Sequence, residues 1–165
     1  MPAPKDNKSR AAAAANPIAL DSLPGHSIRR LQQIAVAIFL QEAEPHGVTP
    51  VQYATMQALA NAPGVDQRSL ARSIGFDTST IASVIDRLEA RGLVRRDLDP
   101  SDRRVRLLSL TGPGHALLTE VVPAMRRAQE RMLQPLPPQE QAEFLRMLNQ
   151  LVTANNALSR APSEG

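Results

Sequence analysis

The chain of 165 residues contains no cysteine. That removes disulfides, thiolate nucleophiles, sulfur metal sites and any thiol switch. Tryptophan is also missing, and aromatic residues make up only 2% against 42% hydrophobic residues. A core of that composition is built from Leu, Ile, Val, Ala and Met, which suits packed helices. Lysine is confined to Lys5 and Lys8, so every other cation is an arginine. No apolar run approaches the length needed to span a membrane. The alanines that follow Lys5, Lys8 and Arg10 faintly resemble a secretory signal, but Asn16-Pro17 cuts the run short. A cytoplasmic protein without membrane contact is expected. The three histidines, His26, His46 and His115, have no metal-ligand spacing, and Glu42, Glu44 and His46 read as a solvated helix end. There is no Gly-rich phosphate loop, HExxH motif or Ser-His-Asp arrangement. Neither an enzyme nor a metal or cofactor carrier is expected.

The length fits one domain. The formal net charge is only +3, so total charge says little about partners, but its distribution says more. From Arg68 to Arg106 nine arginines stand against six acidic residues. Arginine is the cation suited to bidentate contacts with phosphate and guanine.

The most structured stretch is Asp66 to Leu110. In Asp77 to Gly92 the apolar residues Ile81, Val84, Ile85 and Leu88 fall at i, i+3, i+4 and i+7, one face of a helix. The opposite face carries Ser79, Thr80, Ser83 and Arg87. Asp77 is placed to cap this helix and Gly92 to end it. Upstream, Asp66 caps a shorter helix with Leu70, Ala71 and Ile74, closed by Gly75. Two helices joined by so short a Gly-containing turn spell a helix-turn-helix. Leu93–Arg96 and Val105–Leu110 have strand character, and the turn-forming residues 97–104 make a hairpin with a loose tip. The expected fold class is therefore mainly α: a winged helix-turn-helix with a small β-hairpin wing and a helical dimerisation region. In such a unit the second helix lies in a major groove while the wing loop reaches the backbone or the minor groove. Thr80, Ser83 and Arg87 are then candidates for base edges, with Thr78 and Ser79 for phosphate. Arg72, Arg95, Arg103 and Arg104 are further candidate contacts to double-stranded DNA.

Around this unit the chain divides into a disordered arm (1–21), a first helix (22–48), the winged helix (49–111), two C-terminal helices (112–158) and a frayed tail (159–165). Ile34–Leu40 is apolar nearly all round and needs cover on two sides, which an intertwined homodimer supplies. Thr49-Pro-Val-Gln52 reads as a capping box opening a second helix to Asn61. Thr111 caps a helix to about Gln134, in which Pro123 predicts a kink or break. The last helix is expected from Gln139 to about Leu158. The two C-terminal helices are the natural dimer-forming pair.

The segments Leu70–Gly75, Leu88–Arg96, Asp99–Arg104 and Leu110–Gly114 resemble, in order and spacing, the MarR family of bacterial transcription regulators. The wing element around Asp102 and Arg104 is the most specific part. This resemblance implies an obligate homodimer that binds pseudo-palindromic operators, usually as a repressor released by a small ligand. It also implies that Asp102 pairs with Arg104 to shape the wing, leaving Arg103 the freer reader. The resemblance further implies that small aromatic acids bind where the first helix, the second helix and the start of the fifth approach one another. His26, Ser27, Arg30, Gln33 and Tyr53 are the candidates here, with His46 and His115 nearby. The opening His26–Ile34 resembles, more loosely, the branch controlling breakdown of aromatic and heteroaromatic acids, including nicotinate. Two other readings stay open: a winged helix serving as a protein-interaction module, and a constitutive regulator without an effector.

Overall fold

The computed structural model describes residues 18–159, so most of the expected arm and tail lies outside the described residues. Helix α1 spans Pro24–Ala43 and follows a turn of 3-10 helix at Leu20–Ser22. Helix α2 (Pro50–Asn61) opens on the full capping box: the Thr49 side chain accepts from the Gln52 backbone, and the Gln52 side chain accepts from the Thr49 backbone. Helices α3 (Gln67–Ser73) and α4 (Thr78–Ala90) are capped by Asp66 and Asp77 as the sequence predicts. Gly75 and Gly92, at φ 68° and 70°, take the left-handed conformation that ends each helix without a Cβ penalty.

The wing is longer than expected. Strand β2 runs from Val94 to Leu98 rather than stopping at Arg96, and pairs antiparallel with β3, Arg106–Leu110. A two-residue strand β1, Val65–Asp66, adds to the other edge of β3 to give the order β1-β3-β2. Nothing in the sequence predicts β1, because two residues are too few for an alternation to register.

Helix α5 (Gly112–Leu133) begins at its Thr111 cap and passes Pro123 without a break. Of the expected kink or break, the break is thus corrected. Proline at 123 removes the donor to the Thr119 carbonyl, but both positions are exposed, so water can satisfy that oxygen. Helix α6 spans Pro138–Ala154, four residues short of the expected end. It ends at Asn155, whose backbone N–H at 3.1 Å and Nδ2 at 2.8 Å both donate to the Leu151 carbonyl, and a 3-10 turn follows.

The main core lies under the helix-turn-helix. Met56 and Leu59 from α2, Leu70 from α3, Ile81, Ile85 and Leu88 from α4, Leu108 from β3 and Val121 from α5 are all fully buried. A smaller cluster joins Phe39 and Ala43 of α1 to Ala128 of α5, with Tyr53 and Met125 against it. Glu42 ties the same two helices through Arg127 at 3.0 Å and Arg131 at 3.1 Å. The rest of α1 keeps Ile28, Ile34 and Leu40 exposed, and α6 has no buried residue at all.

Candidate nucleic-acid interface

Burial of Ile81, Val84, Ile85 and Leu88 fixes the roll of α4, so Ser79, Thr80, Ser83 and Arg87 face solvent as one row. Thr78 is exposed at the helix start. The Asp77 cap does more than the sequence suggests. It accepts from the Thr80 backbone at 2.8 Å, from Ser79 Oγ at 2.5 Å and from Thr80 Oγ1 at 2.6 Å. The Ser79 and Thr80 hydrogen bonds hold its carboxyl well below the usual carboxylate range, so it stays charged. Ser83 Oγ donates to the Ser79 carbonyl at a long 3.5 Å.

The Arg87 guanidinium makes no hydrogen bond or ion pair among the described residues, and the same holds for Arg103 and Arg104 in the wing loop. Asp99 shapes that loop by accepting from Ser101 N–H at 2.7 Å and Ser101 Oγ at 2.6 Å. The expected Asp102–Arg104 pairing is corrected in kind: Asp102 accepts from the Arg104 backbone N–H at 2.9 Å, and no ion pair joins the side chains. A backbone bond suffices to set the turn, which leaves the Arg104 charge as free as that of Arg103. Arg95 is exposed but pairs with Asp97 at 3.0 Å. So exposed a pair contributes little and can be exchanged for a phosphate. Arg72 is half-buried on α3 and already engaged within the protein.

Two arginines that do not figure among the sequence candidates turn out to hold the unit together. Arg96 of β2 bonds both Asp86 and Glu89 of α4, which fastens the wing to that helix. Arg91, just past α4, donates to the Gly47 carbonyl at 2.9 Å and so links the helix to the turn before α2. Only the acidic residues spaced along α4 hinted at the first, and nothing local hinted at the second.

The candidate effector residues are placed less compactly. His26 is half-buried near the start of α1, while Ser27, Arg30 and Gln33 are exposed along it. Arg30 lies 4.0 Å from Asp21, and Gln33 accepts from Arg29 at 3.5 Å. Tyr53 sits against Phe39, ring centroids 6.0 Å apart, with its hydroxyl donating to Gln57 at 3.3 Å. Burial raises the Tyr53 pKa, and the positive charge of Arg126 opposes that rise. At 1.5 Å per helical residue, His26 and Gln33 stand about 20 and 9 Å along α1 from Phe39. One protomer therefore does not close the five residues around a single small molecule.

A helix-turn-helix, a three-stranded wing and a polar outer face on the second helix define a winged helix protein. A model described as "MarR family" matches residues 46–105. The transcriptional regulator HosA of Escherichia coli O111:H- is 34% identical over 137 residues, 83% of this chain and 100% of HosA. Among solved structures, the transcriptional repressor CouR, bound to a 23-mer DNA duplex, matches with TM-score 0.77 and 30% identity over 81% of this chain and 94% of CouR. BpsR of Bordetella bronchiseptica, whose DNA binding is regulated by 6-hydroxynicotinic acid, matches with TM-score 0.78 and 31% identity over 82% and 97%. The chain belongs to the MarR family of transcriptional regulators. Its relatives are regulators, not enzymes.

Proposed function

We propose that the chain is a homodimeric repressor that binds a pseudo-palindromic operator and is released by a small aromatic or heteroaromatic acid. The observation that carries the DNA part is the outer row of α4, hydroxyls plus Arg87, beside a wing bearing Arg103 and Arg104, three guanidinium groups without a partner among the described residues. Residues 49–111 do the reading. Segments 22–48 and 112–158 pair with a second copy, which would cover Ile28, Ile34 and Leu40 of α1 and Leu145, Leu151 and Val152 of α6. Two α4 helices then enter successive major grooves, about 10 bp centre to centre. The operator lies in the cytoplasm, where such a protein works.

The effector part rests on the likeness to BpsR and on Arg30, Gln33, Ser27, His26 and Tyr53, which together offer a carboxylate partner, hydrogen bonds and an aromatic wall. Because His26, Ser27, Arg30 and Gln33 are strung along α1 while Tyr53 sits on α2 in one protomer, the site closes only where the second copy brings its own α1 alongside. The acid acts by preferring a spacing of the two α4 helices that no longer fits the operator, and it can shift the balance only by its differential affinity for the two spacings.

Fluorescence anisotropy with the DNA upstream of the protein's own gene, in varying salt, tests both parts. If each protomer neutralises four or five phosphates, log affinity falls with log salt at a slope of roughly −7 to −9. A panel of aromatic and heteroaromatic acids is then added to the complex. Release by one of them supports the effector reading; tight binding that no acid disturbs removes it. No preference over random DNA removes the repressor reading.

A further inference from the structure

The four hydroxyls at the start of α4 are not equivalent. Asp77 Oδ1 accepts from Ser79 Oγ, and Oδ2 accepts from Thr80 Oγ1. A carboxylate has no proton to give, so the hydrogens in both contacts belong to Ser79 and Thr80. A hydroxyl carries one proton and two lone pairs. With the proton turned back to Asp77, each of these exposed groups offers the outside only lone pairs. Thr78 has no side-chain partner among the described residues, and Ser83 makes only its long contact, so those two can still donate.

That difference has a chemical meaning in a major groove. Donors there are the amino groups N6 of adenine and N4 of cytosine, whereas guanine O6 and N7, thymine O4 and adenine N7 are acceptors, like the phosphates. A hydroxyl that can only accept meets the amino groups and is mismatched to all the rest. The Asp77 charge behind it disfavours a phosphate further. We propose that Asp77 is a specificity-determining positioning residue: by holding the protons of Ser79 and Thr80 it makes them select an amino-bearing base, cytosine or adenine, at the position they face. This rests on α4 being the helix that enters the groove. Phosphate contacts at this end of the helix then fall to Thr78, and acceptor-bearing bases to Ser83 and Arg87.

Selection of binding sites from random duplexes, run in parallel with wild type, Thr80→Val, Ser79→Ala and Asp77→Asn, tests the proposal, with thermal melts by circular dichroism to confirm folding. Valine keeps the shape of threonine without its lone pairs, so T80V or S79A marks the base position concerned by a roughly tenfold loss of preference there. Every base pair carries its major-groove amino group on one strand only, so wild type is expected to prefer one orientation of the base pair there, with cytosine or adenine on the strand these hydroxyls face. Asparagine caps a helix about as well as aspartate, but it offers one acceptor oxygen where aspartate offers two. One hydroxyl proton is thereby released, and D77N is expected to move the preference at that position toward the reversed base pair, with guanine or thymine on the strand that carries cytosine or adenine in the wild-type site. A D77N preference identical to wild type at that position, or no position altered by T80V or S79A, would each overturn the proposal. If wild type selects no sequence at all, the DNA-binding reading fails first, an outcome separate from these because each of them requires a selected operator.

Discussion

Gly114 lies in the first turn of α5, with Leu93 directly against it. A Cβ added there meets the Leu93 carbonyl oxygen at 2.0 Å, its carbon at 3.0 Å and Leu110 Cδ2 at 3.3 Å. Carbon and oxygen make contact at about 3.3 Å, so Gly114→Ala forces the backbone apart by about 1 Å. The obstacle is pinned on both sides. Leu93 O accepts from Thr111 N–H at 3.1 Å, Thr111 Oγ1 donates to the Gly92 carbonyl at 2.6 Å, and the same hydroxyl caps α5 at the Gly114 N–H, 3.1 Å away. Each hydrogen bond contributes about 1 kcal/mol and the cap about as much. Crowding of buried Leu93 and Leu110 adds about 1–2 kcal/mol. Alanine returns up to about 1 kcal/mol through helix propensity. The net loss is about 2–4 kcal/mol, a large share of the 5–15 kcal/mol (roughly) that holds a domain folded. Urea unfolding at fixed protein concentration measures it, with Gly112→Ala as the control, since a Cβ at 112 meets nothing within 4 Å. G112A is expected to be neutral or slightly stabilising. A G114A protein within about 0.5 kcal/mol of that control would refute the reasoning, because the clash would then relax without breaking the Thr111 bonds.

Three further outcomes are expected. Arg87→Ala should relax base preference at one operator position by about 1–3 kcal/mol; binding-site selection checks this, and an unchanged preference removes Arg87 as a base reader. Arg103→Ala should weaken binding to all sequences alike and flatten the salt slope by about one unit, read by anisotropy at several salt concentrations. Arg127 first, and Arg131 with it, hold the Glu42 carboxyl below its ordinary value of 4.5. A carboxylate depressed in the folded state stabilises it above pH 4.5, and that stabilisation is lost as pH falls from there through the lower folded value. Glu42→Gln should therefore flatten the acid limb of stability against pH below about 4.5, and a limb as steep as wild type would show that the α1–α5 bridge is not what titrates.

Much of the winged helix was legible because its signals are local. Asp66, Asp77, Thr49 and Thr111 each cap a helix a few residues away, and Gly75 and Gly92 mark turns at fixed offsets. What escaped was set by contacts distant in sequence or by too little chain. Strand β1 exists only because β3 lies beside it, and Arg91 finds the Gly47 carbonyl across the fold. The local cost of Pro123 predicts a kink or break, yet its exposed position and the packing of α5 on α1 carry the helix through. The Asp77 clamp lay within reach of the sequence, since hydroxyls two and three residues after a capping aspartate are in range of both its oxygens. The effector residues are the least legible: the order of side chains along α1 and α2 says nothing about whether one protomer can gather them.

Arg96 has a mechanical consequence. Because it binds the wing strand to Asp86 and Glu89 at the same time, the wing and α4 are coupled. Gln67 steadies the other end of the helix through the Thr78 carbonyl at 3.3 Å. The wing and α4 are thus tied together as one stiff paddle. A stiff paddle turns a few degrees of rotation at its root into ångströms of travel at the wing tip, where a flexible one would absorb the motion.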